Sequence, residues 1–355
     1  MQANGDPIGR LLNLHHVLEV EHDDGDKGNF LFGWQCENPF AVDLLNATRE
    51  RSNALNHTQY SYLEEDAALN SKIRAAHHAL DGIEPDDVFC GAGATALLVT
   101  LAAYFRLKGI QEVFFVPPIY FSMHFALRLL GIRARPVSAR HAFESDFSMN
   151  LPDREVVLLM TDPIWYVGLP IPAQIIDQVA SWQRRTQSVV LIDGSFQYMP
   201  WNNKINELTA GLDPARTARI VSPSKFLCVA GYRFAYLLLP SAWRQGFSHT
   251  YTNIYASASV DTIAFGHEAV GAMTHRKLTN QLMNRAEQRH IILRSTGRTE
   301  SVLAATCGYF VFEKLKFDLP SNYVRMGGEY FDQPRFPGYT RINLLSPSFH
   351  LLEAS

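Results

Sequence analysis

Ser222-Pro223-Ser224-Lys225, with Gly231 six and Arg233 eight positions beyond the lysine, sets one amine among hydroxyls and a guanidinium. A lysine amine can condense with an aldehyde, and hydroxyls, a guanidinium and backbone N–H groups suit a phosphate. Pyridoxal 5'-phosphate carries both groups and also asks for an acid facing its ring nitrogen. Each of these requirements can be sought elsewhere in the chain.

The elements that must position such groups are legible between about residues 85 and 240, where short β-branched and aromatic runs alternate with helical-period segments. Strands are expected at Asp87–Cys90, Glu112–Val116, Arg133–Val137, Glu155–Met160, Ser188–Ile192, Arg219–Val221 and Phe234–Leu239. Helices are expected at Ala94–Leu107, Tyr120–Leu130 and Pro172–Arg185, with Gly109 and Gly131 at left-handed helix ends. In open parallel sheets ligands collect at the carboxyl ends of the strands. Those positions hold Gly91-Ala-Gly93-Ala94-Thr95, Pro117-Pro-Ile-Tyr120, Asp162-Pro-Ile-Trp165, Asp193 and Ser222-Pro-Ser-Lys225. Beyond Ser241 the pattern turns helix-rich to Gly297, then gives short strands within Ala305–Phe317 and Tyr339–Leu345. The expected fold class is α/β, a mostly parallel sheet sandwiched by helices, with a smaller α+β domain. Residues 46–243 would form the large domain, and 1–45 with 244–355 the small one.

Taken together, residues Tyr60 to Ser346 resemble fold type I pyridoxal-phosphate enzymes, and within them the class I/II aminotransferases. The most specific piece is Ser-x-Ser-Lys followed by Gly-x-Arg. The resemblance implies that Lys225 forms the Schiff base with the cofactor. It implies phosphate binding by Arg233, Ser222, the amides of Ala94 and Thr95, and more weakly Ser224. It further implies Asp193 as the partner of the pyridine nitrogen, Tyr120 as the stacking aromatic, and Arg341 as holder of the substrate α-carboxylate. Physically, a guanidinium grips planar anions bidentately, a helix start favours phosphate, and a carboxylate keeps the ring nitrogen protonated. Tyr60-Ser-Tyr62 resembles a segment that reaches the neighbouring subunit's phosphate, with the choice of tyrosine left open; a homodimer is implied with it. The reaction implied is amino transfer between an amino acid and a 2-keto acid, with a place in specialised metabolism as one option.

Two positions depart from the family pattern. Its Asn-Pro-Thr-Gly turn stands here as Trp165-Tyr-Val-Gly168, and the tyrosine expected three residues after the aspartate is Phe196. Both usual donors to the cofactor's phenolic oxygen are thereby missing, which should raise the proton affinity of the Schiff base. Tyr166, Tyr198 and Asp162 are substitutes to consider. The departure keeps decarboxylation, elimination, racemisation and oxidation open as alternatives on the same lysine.

Other function classes fit less well. Gly91-x-Gly93-x-x-Ala96 matches a dinucleotide fingerprint and would make the chain an NAD-dependent oxidoreductase, but the next strand ends in Val116-Pro117-Pro118 where a ribose-binding acid is needed. A regulator or scaffold on an inherited fold leaves no room for an attached DNA-binding module. The adjacent pairs His15-His16 and His77-His78 cannot present both rings to one metal, so no metal site is expected. The chain of 355 residues has a net charge of −3 and is 47% hydrophobic, which gives no bulk pull toward nucleic acid or anionic membrane. Four scattered cysteines and an N-terminus without a basic-then-apolar run suggest a reducing, cytoplasmic setting. Uncharged Val88–Phe105 approaches the length of a membrane span, yet Gly91 and Gly93 should break it into strand, turn and helix.

Overall fold

The computed structural model describes residues 32–60, 66–205, 211–255, 258–318, 325–331 and 335–353. Helices α1 (Val42–Ala54) and α2 (Ala67–Leu80) lead into strand β1 (Asp87–Gly91). Asp66 opens α2 by accepting from the Leu69 amide at 2.8 Å, which satisfies one of the donors a helix start leaves over. Then follow α3 (Ala94–Leu107), β2 (Glu112–Phe115), α4 (Phe121–Leu129), β3 (Arg133–Pro136), β4 (Val157–Thr161), α5 (Ala173–Thr186), β5 (Val189–Gly194) and β6 (Thr217–Val221). A one-turn helix α6 (Pro223–Phe226) precedes β7 (Ala235–Leu239). The stretch Val88–Phe105 is indeed strand, turn and helix. No helix among the described residues is long and apolar enough to cross a membrane.

The seven strands form one sheet in the order β1-β7-β6-β5-β4-β2-β3. Pairing is parallel from β3 through β2, β4 and β5 to β6, whereas β7 runs antiparallel to both β1 and β6. The reversal has a simple cause. Between β6 and β7 the chain holds only the one-turn α6 and one 3-10 turn, with no helix long enough to carry it back along the sheet as a parallel crossover does. Its consequence is positional: Gly91 pairs with Ala235 and Val221 with Tyr236, so β7 begins where β1 and β6 end.

Alternation along the strands sends side chains to two buried faces. Leu158, Val190, Ile192 and Tyr236 pack with Trp182 of α5 on one, and Phe89, Leu159, Leu191 and Leu237 with Leu101 of α3 on the other. The C-terminal part supplies α7 (Arg244–Tyr255), α8 (Val260–His275) and α9 (Lys277–Ser295), then β8 (Thr299–Glu300), β9 (Phe310–Leu315), β10 (Tyr339–Asn343) and α10 (His350–Glu353). These last three strands make a second, antiparallel sheet in the order β10-β9-β8. Phe310 and Phe312 of β9 join the same buried cluster as Leu158 and Ile192, which seats the small sheet against one face of the large one.

Candidate active site

Lys225 sits at the carboxyl edge of the central strands, carried by α6 directly after β6. Pro223 occupies the first turn, where its missing N–H costs nothing. Ser222, at the cap position, makes no side-chain capping bond, so its buried hydroxyl is left for another partner. Ser224 is different. Its Oγ donates to the Phe234 carbonyl at 2.8 Å and accepts from the Phe234 amide at 2.9 Å. That pair of bonds ties the lysine-bearing turn to the start of β7, so the Ser224 hydroxyl, although on the cavity, is already engaged as a brace.

Arg233 comes to the site through the reversal of β7. Its backbone is left-handed at φ 48°, an uncommon conformation for a residue with a Cβ, and it lies beside the Gly91–Gly93 turn. Gly93 itself has φ 92°, and a Cβ built there would stand 2.9 Å from the Arg233 Nη2. Only glycine lets the guanidinium lie this close across the turn. Gly93 gives α3 no side-chain cap, and the first-turn residues Ala94 and Thr95 border the same cavity as Arg233 and Ser222.

These groups line one cavity of about 280 Å³ with Lys225, Asp193 and Tyr120. Asp193 lies near the end of β5, one residue inside the strand rather than after it. Its Oδ1 accepts from the Ser195 hydroxyl at 2.5 Å and the Ser195 amide at 3.1 Å. Burial pushes the carboxyl pKa upward, and the Ser195 bonds and the Lys225 charge pull it back. Tyr120 caps α4 without a capping bond and turns its ring into the cavity, edge-on to Trp34 and Trp165 at 6.0 and 6.1 Å.

The far wall is aromatic. Trp34 stands with its ring 5.0 Å from the Lys225 Nζ, and Trp165 lies 5.2 Å from Trp34 and 6.3 Å from Phe196. Arg341 of β10 is fully buried behind them rather than on the cavity surface. Its guanidinium is 4.1 Å from the Trp34 ring and 4.3 Å from Phe310, and it donates to the Phe32 carbonyl at 2.6 Å. Trp34, Gln35, Thr161 and Ser195 were not foreseen as cavity residues. The first two come from an N-terminal stretch with neither period nor motif to mark it. Tyr60 is largely exposed, and Tyr62 lies outside the described residues. Among the described residues no cluster of His, Cys, Asp and Glu could hold a metal ion.

The family model described as "Aminotransferase class I and II" matches residues 28–313. The chain belongs to the class I and II aminotransferases. Solved structures of the same fold include N-succinyldiaminopimelate aminotransferase from Mycobacterium tuberculosis, at 18% identity and TM-score 0.75 over 91% of each chain. The aromatic aminotransferase from Pyrococcus horikoshii OT3 is 19% identical, with TM-score 0.74 over 91% of this chain and 92% of that one. YbdL from Escherichia coli, described as having a methionine aminotransferase function, is 16% identical with TM-score 0.72 over 98% of this chain and 93% of its own. A search of curated proteins finds no match. The aminotransferase family depends on pyridoxal phosphate, and the protein is accordingly an amino-group transferase.

Proposed function

We propose that this aminotransferase binds pyridoxal 5'-phosphate in the 280 Å³ cavity and exchanges the amino group of an amino acid with a 2-keto acid there. The observation that carries the reading is the convergence on one cavity of an amine, a buried carboxylate and an anion cradle drawn from four separate strand ends. The donor set suits the cofactor: a Cβ at Gly93 would fill the space across which Arg233 reaches, beside an uncapped helix start. When bound, the pyridoxal ring supplies an electron sink for the bond broken at the substrate's Cα.

The chain's own residues do the rest. Lys225 Nζ holds the cofactor aldehyde at rest and, once displaced by the substrate amine, takes the proton from Cα as general base. Arg233, the Ser222 hydroxyl and the Ala94 and Thr95 amides hold the phosphate, a charge-matched set at a helix start. Asp193 keeps a proton on the ring nitrogen, a task helped by the two Ser195 bonds that fix its orientation. Tyr120 packs against the ring. Arg341 receives the substrate carboxylate, which requires the Trp34 ring to move aside from its 4.1 Å contact. A homodimer, with the Tyr60 to Tyr62 segment lent to the partner, completes the phosphate site. Four unpaired cysteines fit a reducing, cytoplasmic setting.

Borohydride treatment of the protein loaded with pyridoxal phosphate, followed by peptide mapping, should label Lys225 and no other lysine. Incubation with a panel of amino acids should then yield pyridoxamine phosphate and a keto acid, seen by mass spectrometry. Labelling elsewhere rejects the site. Carbon dioxide, or ammonia with peroxide, in place of the keto acid and pyridoxamine phosphate would reassign the reaction to a sister chemistry.

A further inference from the structure

The wall facing Phe196 has lost the two groups that family members turn toward the cofactor's phenolic oxygen. The three substitutes suggested by sequence are all engaged elsewhere. The Tyr166 hydroxyl is 2.7 Å from His141 Nδ1, the Tyr198 hydroxyl donates to Asp81 at 2.6 Å, and Asp162 accepts from the Ile171 amide and the Gln197 side chain at 3.1 Å each. None of the three lines the cavity.

Donors that do line it are mostly spoken for as well. Thr161 Oγ1 donates to the Pro118 carbonyl, Ser195 Oγ to Asp193 and Ser224 Oγ to Phe234. Ser222 lies on the phosphate side of the cavity, and on the aromatic wall Trp165 stands apart. Its side chain is 5% exposed and borders the cavity, and its Nε1 is buried with no hydrogen-bond partner among the described residues. A buried N–H without an acceptor is disfavoured and rare in folded proteins, so one bordering a ligand cavity marks the place of a ligand acceptor. The ring is held by Trp34, Tyr166 and Phe331 at 5.2 to 5.6 Å, and the turn behind it is pinned by Gly168. A Cβ on Gly168 would meet the Phe310 carbonyl at 2.7 Å.

We infer that Trp165 Nε1–H is this protein's own donor to the phenolic oxygen of bound pyridoxal phosphate, replacing the missing amide and tyrosine by a single indole. The inference rests on the proposed cofactor site. It makes Trp165 a cofactor-binding residue in its own right, and it predicts that the phenolate is stabilised despite both departures from the family pattern.

The test compares pyridoxal phosphate with its 3-deoxy analogue, which lacks only the phenolic oxygen. Equilibrium dialysis of wild type and Trp165→Phe with each ligand separates the hydrogen bond from ring packing. The substitution should weaken pyridoxal phosphate about tenfold more than it weakens the analogue, the size of one bond to a charged acceptor. It should also move the spectrophotometric titration of the lysine-bound cofactor to higher pH, and Trp165→His, which keeps an N–H, should partly restore both. Equal weakening of the two ligands, or an unmoved titration, overturns the assignment. If Trp165→Phe fails to fold, wild type alone decides: binding the analogue as tightly as pyridoxal phosphate refutes the bond. Absence of borohydride labelling at Lys225 in wild type would instead bring down the cofactor site itself, so the two failures are told apart.

Discussion

Arg341 shows how a single residue can be correctly placed by sequence and still behave unexpectedly. The Tyr-Thr-Arg-Ile-Asn run locates it on β10, but nothing in that run announces Trp34, which covers it from 307 residues upstream in the chain. The guanidinium is wholly buried between aromatic faces, where cation–π contact is worth most. Arg341→Ala should therefore do two things. It should raise the KM for amino acids by about tenfold or more, through loss of a bidentate carboxylate partner. It should also cost about 3 kcal/mol of stability, since a large buried side chain leaves a cavity and strands the Phe32 carbonyl. Steady-state kinetics with amino acids and with amines lacking the carboxylate separates these effects, and urea unfolding measures the second. Amines that lose activity as much as amino acids would remove Arg341 from substrate binding. Ser224 teaches the opposite lesson. A hydroxyl two residues from another is chemically its equal in a sequence, and only the position of Phe234 distinguishes a brace from a ligand.

At the scale of elements, most strands of the large sheet were readable as short apolar runs bounded by Gly, Pro or charge, and the helices between them by their helical period. The helix expected at about Ala94–Leu107 lies there, and the left-handed Gly109 and Gly131 fall where the pattern put them. The direction of β7 was not readable from its own residues, since an antiparallel strand buried on both faces is as apolar as a parallel one; the short connection was the available clue. That direction is what brings Arg233 to the start of α3, and it makes Gly93 the point where two elements meet. Gly93→Ala strains a φ of 92° and drives a methyl against the guanidinium. The expected cost is about 1–2 kcal/mol in thermal unfolding. Binding should discriminate further: pyridoxal phosphate should lose affinity markedly while unphosphorylated pyridoxal changes little. Equal losses would mean that the turn shapes the cavity without holding the phosphate.

For the molecule as a whole, one buried contact predicts how stability depends on pH. His141 faces the Tyr166 hydroxyl, Tyr166 stacks on Phe331 at 4.1 Å, and so the loop after β3 is fastened to the segment beside the small sheet. Burial lowers the His141 pKa to about 4, with the Glu144 charge opposing that shift. Unfolded, the same imidazole titrates near 6.5, so below about pH 6.5 the unfolded chain takes up a proton that the folded one refuses. The stability contribution is complete above that pH and is lost progressively down to about pH 4, amounting to about 3 kcal/mol at full extent. Urea unfolding at neutral pH and at mildly acid pH should show this decline in wild type and a shallower one in His141→Gln. An unchanged slope would assign the acid sensitivity elsewhere.

Assembly yields the last prediction, because the proposed phosphate site draws on four residues of the subunit, Arg233, Ser222, Ala94 and Thr95, and the proposed dimer adds a tyrosine from its neighbour. Tyr60 is 79% exposed, a high value for a tyrosine and one that suits a residue serving a second subunit. Loss of the hydroxyls in Tyr60→Phe/Tyr62→Phe should weaken pyridoxal phosphate by about tenfold, the worth of one bond to a charged phosphate. Lys225→Ala should be inactive outright. Co-expressed, the two inactive or impaired chains form hybrid dimers in which one site combines an intact Lys225 with intact tyrosines lent by the other chain, while the second site lacks both. At cofactor concentrations too low to fill the double-tyrosine variant, the mixture should regain turnover that neither parent shows. Activity no greater than the average of the parents would mean that each subunit completes its own phosphate site, and the tyrosine segment would lose its proposed role across the interface.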